Sequence, residues 1–212
     1  MVAASDGRMA ARGPSDAAGA DTTTLSTAQA AQRADEAATA AVNAARVASP
    51  ASTKTITPLP EDTAELAARR LTLPVQGLRA AQLTDTFTDA RAGGVRRHDA
   101  IDIMAPVGTP VLAVEDGRIA KLFFSQGGGG ITVYQFDPGE RYAYYYAHLD
   151  RYADGLQDGQ AVRRGQVIGY VGSTGNARVD APHLHFAITR LGPKKEWWKG
   201  DALNPYPILK GP

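Results

Sequence analysis

Hydrophobic and polar positions change rhythm once along this chain, near residue 87. Over residues 1–60 Ala, Ser, Thr and Asp dominate, with scattered Gly and Pro. After residue 87, short β-branched or aromatic runs recur. Residues 109–124 (TPVLAVEDGRIAKLFF), 130–136 (GITVYQF), 141–149 (RYAYYYAHL), 166–172 (QVIGYVG) and 183–189 (HLHFAIT) read as strands. The segments EDG, GGGG, DPGE and STGN punctuate them as turns. This spacing predicts an all-β fold, an antiparallel sheet or sandwich-like domain over residues 87–212.

Composition divides the chain at the same place. All fifteen Phe, Trp and Tyr residues lie at or after Phe87, and these side chains bury the most apolar area. The core is therefore expected in the C-terminal part. Residues 1–60 have a composition that does not offset the entropy of ordering and are expected to be a mostly disordered tail. Within that tail, Ser26–Ala48 is rich enough in alanine for a marginal helix. In residues 61–86 the stretch EDTAELAARRL has acidic residues at its start and Arg69 and Arg70 at its end. That charge order suits the helix dipole and predicts a short helix followed by a linker, acting as a spacer or strut.

The formal charge of +1 gives no field that would draw in nucleic acid or an anionic membrane. Cysteine is absent, which removes disulfides, thiolate metal sites and a cysteine nucleophile. A metal here has to be held by nitrogen and oxygen. No run approaches the roughly 18 apolar residues of a membrane span, and no apolar signal region follows Met1.

The chemistry-bearing residues are few and grouped. Four histidines occur, His98, His148, His183 and His185. His183 and His185 flank Leu184 in a predicted strand, so they share one face about 7 Å apart. His98 and Asp102 form an H-x-x-x-D pattern. Ile101, Ile103, Pro106 and Pro110 argue against a helix there, and a fully extended strand would separate the two by about 13 Å, too far to share one ion. A bend between them is predicted, with His98 ending a loop and Asp102 starting a strand. In a regular strand, His148 shares a face with Tyr142, Tyr144 and Tyr146. Spacing leaves open which histidines would bind a metal, since both members of an H-x-H can reach one ion.

Taken in order, HDAID, YYYAHLD and APHLHF, with PVGTPVLAVEDGRI and VRRGQVIGYVGSTGN between them, resemble the lysostaphin-type zinc metallopeptidases, which cleave the peptide part of peptidoglycan. The resemblance covers about Phe87 to the end. It implies a duplicated hybrid motif fold, Zn2+ as cofactor, and His98, Asp102 and His185 as its ligands. His148 and His183 would then be the catalytic pair, sharing proton transfer and stabilisation of the tetrahedral intermediate. It also implies a peptidoglycan peptide as substrate, action outside the cytoplasm, and no nucleic-acid partner; a monomer is expected. Two departures stand out: Ala100 replaces a glycine common in relatives, and Asp89 to Arg97 lacks the tyrosine that some relatives use to steady the oxyanion.

Other stretches receive plainer readings. Gly127 to Gly130 is read as a hairpin connection that also offers a wall to a substrate groove, and Tyr146 as a packing residue that could touch substrate. Trp197 and Trp198 either bind glycan or cap the core, a choice that their exposure decides. Two competing functions are weighed. One is a catalytically inactive homologue that binds cell wall or regulates another hydrolase, although all five key residues are present. The other is a biotinyl-type carrier, suggested by VEDGRIAKL and DGQAVRRGQVIGYVG; that reading needs a lysine at a hairpin tip, whereas Lys121 falls within a predicted strand.

Overall fold

A computed structural model describes residues 60–91 and 96–211. The expected tail and its helix over 26–48 lie outside the described residues, apart from Pro60. The described chain opens with helix α1 (Pro60–Ala68) and a 3-10 turn (Ala80–Gln82). Eleven strands follow: β1 (Ala90–Arg91), β2 (Arg96–Arg97), β3 (Ile101–Met104), β4 (Pro110–Leu112), β5 (Gly117–Ser125), β6 (Gly130–Phe136), β7 (Tyr142–Tyr152), β8 (Ala161–Val162), β9 (Val167–Val171), β10 (His183–Leu191) and β11 (Gly200–Leu203). Helix α2 (Pro205–Lys210) closes the chain, capped by the Asn204 side chain accepting from the Tyr206 amide.

Nine of the strands form one antiparallel sheet, with the order β11-β10-β7-β6-β5-β8 along its main path; β3 pairs with β10, and β9 pairs with β4 and β7. β1 and β2 form a separate two-stranded ribbon. The five predicted strand runs all coincide with strands, and the GGGG segment joins β5 to β6 as a hairpin.

Alternation along β7 and β10 explains why these strands are buried on both faces. Tyr142, Tyr144, Tyr146, Leu184, Phe186 and Ile188 enter the main core with Ile101, Val111, Ile119 and Ile168. Tyr145, Ala147 and Ala187, one residue out of phase, join Phe123 and Tyr134 in a second cluster on the opposite face, which Trp197 covers. Ala100 is buried in this second cluster.

The segment before the sheet is not a strut. Leu66, Leu71, Val75 and Leu83 are buried in the main core. Residues 72–76 run beside β4, with Thr72 N–H donating to Val114 O, Leu112 N–H to Pro74 O and Gln76 N–H to Pro110 O. A polar network fastens α1 to the sheet. The Arg69 guanidinium reaches Glu65 (2.7 Å), Glu115 (3.0 Å) and Asp137 (3.1 Å). The Tyr142 hydroxyl donates to Asp62 at 2.7 Å, and the Tyr144 hydroxyl donates to Glu115.

Candidate functional site

Strand register brings two of the expected metal ligands together. β3 pairs with β10 so that Asp102 stands directly opposite His185. The predicted bend ahead of Asp102 is made at Asp99, whose φ of 56° lies in the left-handed region. It follows His98, whose amide donates to Asp89 O. The chain thus folds back, and His98 Nε2 comes to 3.0 Å from Asp102 Oδ1 despite the four-residue separation.

The three donor atoms form a nearly equilateral triangle. His98 Nε2 lies 3.0 Å from His185 Nδ1, and His185 Nδ1 lies 3.1 Å from Asp102 Oδ1. Metal–ligand bonds of about 2.0–2.1 Å at tetrahedral angles place ligand atoms roughly 3.3 Å apart, so these donors fit a zinc-sized ion with little movement. Two imidazoles and a carboxylate are also the donor set of catalytic zinc sites, which keep one position for water or substrate.

Hydrogen bonds fix which nitrogen each ring presents. His98 Nδ1 lies 2.9 Å from Thr86 O, and a backbone carbonyl only accepts, so Nδ1 carries the proton and Nε2 offers its lone pair. His148 Nδ1 faces Thr174 O and His183 Nδ1 faces Ala181 O, both at 2.8 Å. In both rings Nδ1 therefore carries a proton, and in the neutral form Nε2 is the acceptor. Backbone carbonyls act here as the outer partners that set tautomer and orientation in metal sites.

Electrostatics agrees with a ligand role. Burial opposes ionisation of Asp102, yet the adjacent His185 and His98 rings hold its carboxyl well below the usual carboxylate range. Burial pushes the His185 imidazole down to about 4 against the pull of Asp102. At neutral pH the cluster therefore holds an anionic oxygen beside a neutral ring, the states in which both groups bind metals.

His148 reaches the site by a route that simple alternation hides. A regular strand would turn it to the main-core face with Tyr146. Instead its φ is 60°, and the β6–β7 register shifts between Ile131 and Val133, opposite this point. This bulge adds one residue on β7 and re-aims the side chain. His148 consequently stacks edge-on against His183 and His185, with ring centroids 4.9 and 5.6 Å away. Its amide donates to Gly129 O and its Nδ1 to Thr174 O, so the GGGG and STGN turns together hold it. Those turns meet closely: a Cβ on Gly130 would overlap Thr174 and the backbone of Gly175.

The same change of face reassigns the tyrosines. Tyr146 is wholly buried, its hydroxyl donating to Gln135 Oε1 and accepting from the Val114 amide, so it is a core residue away from the site. Tyr145 is the tyrosine beside His185, edge-on at 5.8 Å. His183 is also close, with Nε2 3.7 Å from Asp102 Oδ1. All five expected residues are thus brought together.

Two contributors carried no signal in the sequence. Thr86 holds the His98 ring with its carbonyl, and its Oγ1 accepts from the Asp102 amide at 3.1 Å. Arg91, on β1, places Nη2 2.5 Å from Asp102 Oδ2 and 3.1 Å from His98 Nε2. Elsewhere, Trp197 packs against Tyr134 and Phe123, so it caps the second cluster, whereas Trp198 is exposed. Lys121 lies within β5, paired with Asp158, not at a hairpin tip where a carrier lysine would stand.

Comparison with known proteins agrees with this geometry. The L-Ala–D-Glu endopeptidase of Bacillus subtilis (strain 168) is 37% identical over 134 residues, which cover 59% of this chain and 38% of that protein. The chain spans less than half the length of the curated relatives it matches. Among solved structures, the catalytic domain of lysostaphin from Staphylococcus simulans aligns with a TM-score of 0.51 and 30% identity, covering 61% of this chain and 92% of that one. A zinc-containing peptidase from Vibrio cholerae aligns with a TM-score of 0.50 and 26% identity, over 66% of this chain and 39% of that one. The model described as Peptidase family M23 matches residues 96–205, just over half of the sequence and every residue of the His/Asp cluster: the chain belongs to Peptidase family M23.

Proposed function

We propose that the protein is a zinc-dependent endopeptidase that hydrolyses peptide bonds in bacterial peptidoglycan, in the stem peptides or their cross-links. The observation that carries this reading is the triangle of His98 Nε2, Asp102 Oδ1 and His185 Nδ1, flanked by two further imidazoles whose Nδ1 atoms face backbone carbonyls. His98, Asp102 and His185 would hold the metal. Zinc bound there polarises the scissile carbonyl and lowers the pKa of water to about 7.

The remaining steps belong to the protein's own groups. His148 and His183 take the proton of the attacking water at Nε2 and return it to the departing amine, a contribution of typically 10²- to 10⁴-fold. Once protonated, either ring donates to the oxygen on which charge develops. Thr174 O and Ala181 O keep both rings aimed by accepting from Nδ1–H. Thr86 fixes Asp102 and His98 relative to one another.

The family and the L-Ala–D-Glu endopeptidase among the relatives support this substrate class. A substrate in the cell wall supports action outside the cytoplasm. Among the described residues no helix is long and apolar enough to cross a membrane. An inactive, wall-binding role has less support, because inactive homologues lose ligands and this chain presents all five residues in one place.

The test is digestion of purified cell walls with and without a chelator, with released fragments identified by mass spectrometry. Chelation and His185→Ala are both expected to abolish release. Undiminished cutting by the His185→Ala protein would overturn the assignment.

A further inference from the structure

Resting on the peptidase reading, we propose that Arg91 is a specificity-determining residue that binds a free carboxylate on the substrate next to the cut bond, so that the enzyme acts on acidic stem peptides in preference to uncharged glycine bridges.

The argument begins with how the Asp102 carboxylate is shared. Its Oδ1 faces His98, His185 and His183, at 3.0, 3.1 and 3.7 Å. Its Oδ2 is turned away from the imidazoles and receives Arg91 Nη2 at 2.5 Å. One oxygen is left for a metal and the other is held by a guanidinium. Arg91 thus stands at the rim of the cluster, anchored to a ligand without occupying the ligand's inward-facing oxygen.

Half of the Arg91 fork is uncommitted. Both of its hydrogen bonds pass through Nη2, and Nη1 and Nε have no partner among the described residues. A metal that takes the lone pair of His98 Nε2 releases even the second of these contacts. The side chain is 39% exposed, so solvent reaches it beside the cluster. The free Nη1–H and Nε–H groups point to different sides, so each offers a single charge-assisted hydrogen bond to a carboxylate oxygen.

Neighbouring charges do not satisfy Arg91 in another way. Asp99 faces Arg97, Asp180 is paired with Arg178, and Asp150 with Arg151. Asp102 is the one carboxylate in the His cluster, and Arg91 offsets its charge. A divalent ion would leave the site net cationic, which an anionic substrate matches and a glycine bridge does not.

Two soluble stem peptides of one sequence test this, one with the D-glutamyl α-carboxyl free and one with it amidated. Wild type and Arg91→Gln are compared by kcat/KM with zinc content measured in each. Binding to the metal-free proteins is measured by calorimetry. A charge-assisted hydrogen bond corresponds to about a tenfold preference or more. Wild type should favour the acid peptide by at least that factor in both cleavage and binding, and Arg91→Gln should bring both ratios close to one. Equal treatment of the two peptides by wild type overturns the proposal, as does an equal loss on both in the variant. The binding arm reads this without turnover. Failure of the zinc-loaded wild type to cut either peptide, alongside a retained binding preference, would count against the peptidase reading and leave the carboxylate site standing.

Discussion

Replacing Arg69 by methionine keeps an unbranched apolar stem and removes the charged guanidinium, which makes it a sharp probe of how α1 is fastened. Arg69 serves three carboxylates, and they differ in environment. Glu65 is 35% exposed and one helical turn away; such a pair contributes about 0.3–0.5 kcal/mol. The Asp137 and Glu115 side chains are only 1% and 7% exposed. Without the guanidinium, Asp137 keeps the amides of Arg141 (2.6 Å) and Tyr142 (2.8 Å), and Glu115 keeps the Tyr144 hydroxyl. Both nevertheless become buried anions with no cation. Stripping one partner from a buried pair costs about 3–5 kcal/mol, and the surviving hydrogen bonds place the expected loss near the lower end, about 3 kcal/mol. At about 2–4 °C per kcal/mol for a domain of this size, the melting temperature should fall by about 6–12 °C. Urea unfolding followed by the fluorescence of Trp197 and Trp198 measures the change. Adding Glu115→Gln to Arg69→Met should recover about 1 kcal/mol or more, because it neutralises one stranded charge. A loss under about 1 kcal/mol, with no recovery in the double variant, would mean that water screens the network, and the claim that α1 is fastened by buried charge would be wrong.

Two further outcomes are expected. His148→Ala and His183→Ala should each retain zinc at the wild-type stoichiometry while kcat falls by about 10²- to 10⁴-fold; loss of metal in either would show that the ring is a ligand. Gly130→Ala forces a Cβ into Thr174 and the Gly175 backbone at a φ of 66°, so stability should fall by about 1–3 kcal/mol in thermal unfolding. Because Thr174 O aims His148, kcat should drop as well, and an unchanged melting temperature would contradict the close approach of the two turns.

How much of this could be read from the sequence depended on the range of the interaction. The strands were legible because their aromatic and β-branched runs are local, and His183 and His185 because period two fixes their shared face. The bend before Asp102 was legible because a straight strand could not bring His98 back. The face of His148 was not, since one extra residue on β7 inverts the alternation that placed it beside Tyr146. Thr86 and Arg91 act through a backbone carbonyl, a hydroxyl and a guanidinium brought in from 7 to 16 positions away, and no spacing rule marks such partners. The helix EDTAELAARRL resembled a solvated spacer because Leu66 is its one large apolar residue before Leu71 and its charges appeared exposed. Their partners, Glu115, Asp137 and Tyr142, lie some 46 to 80 residues further along.

The burial of Leu66, Leu71, Val75 and Leu83 has a practical consequence for anyone who trims this chain. Cutting at the edge of the recognisable family match, residue 96, or at Phe87, would keep all four histidines in the piece yet open the underside of the sheet to water. It would also discard Thr86, on which the tautomer of His98 depends. The smallest piece worth expressing starts no later than Pro60, because the peptidase's foundation is laid before its signature begins.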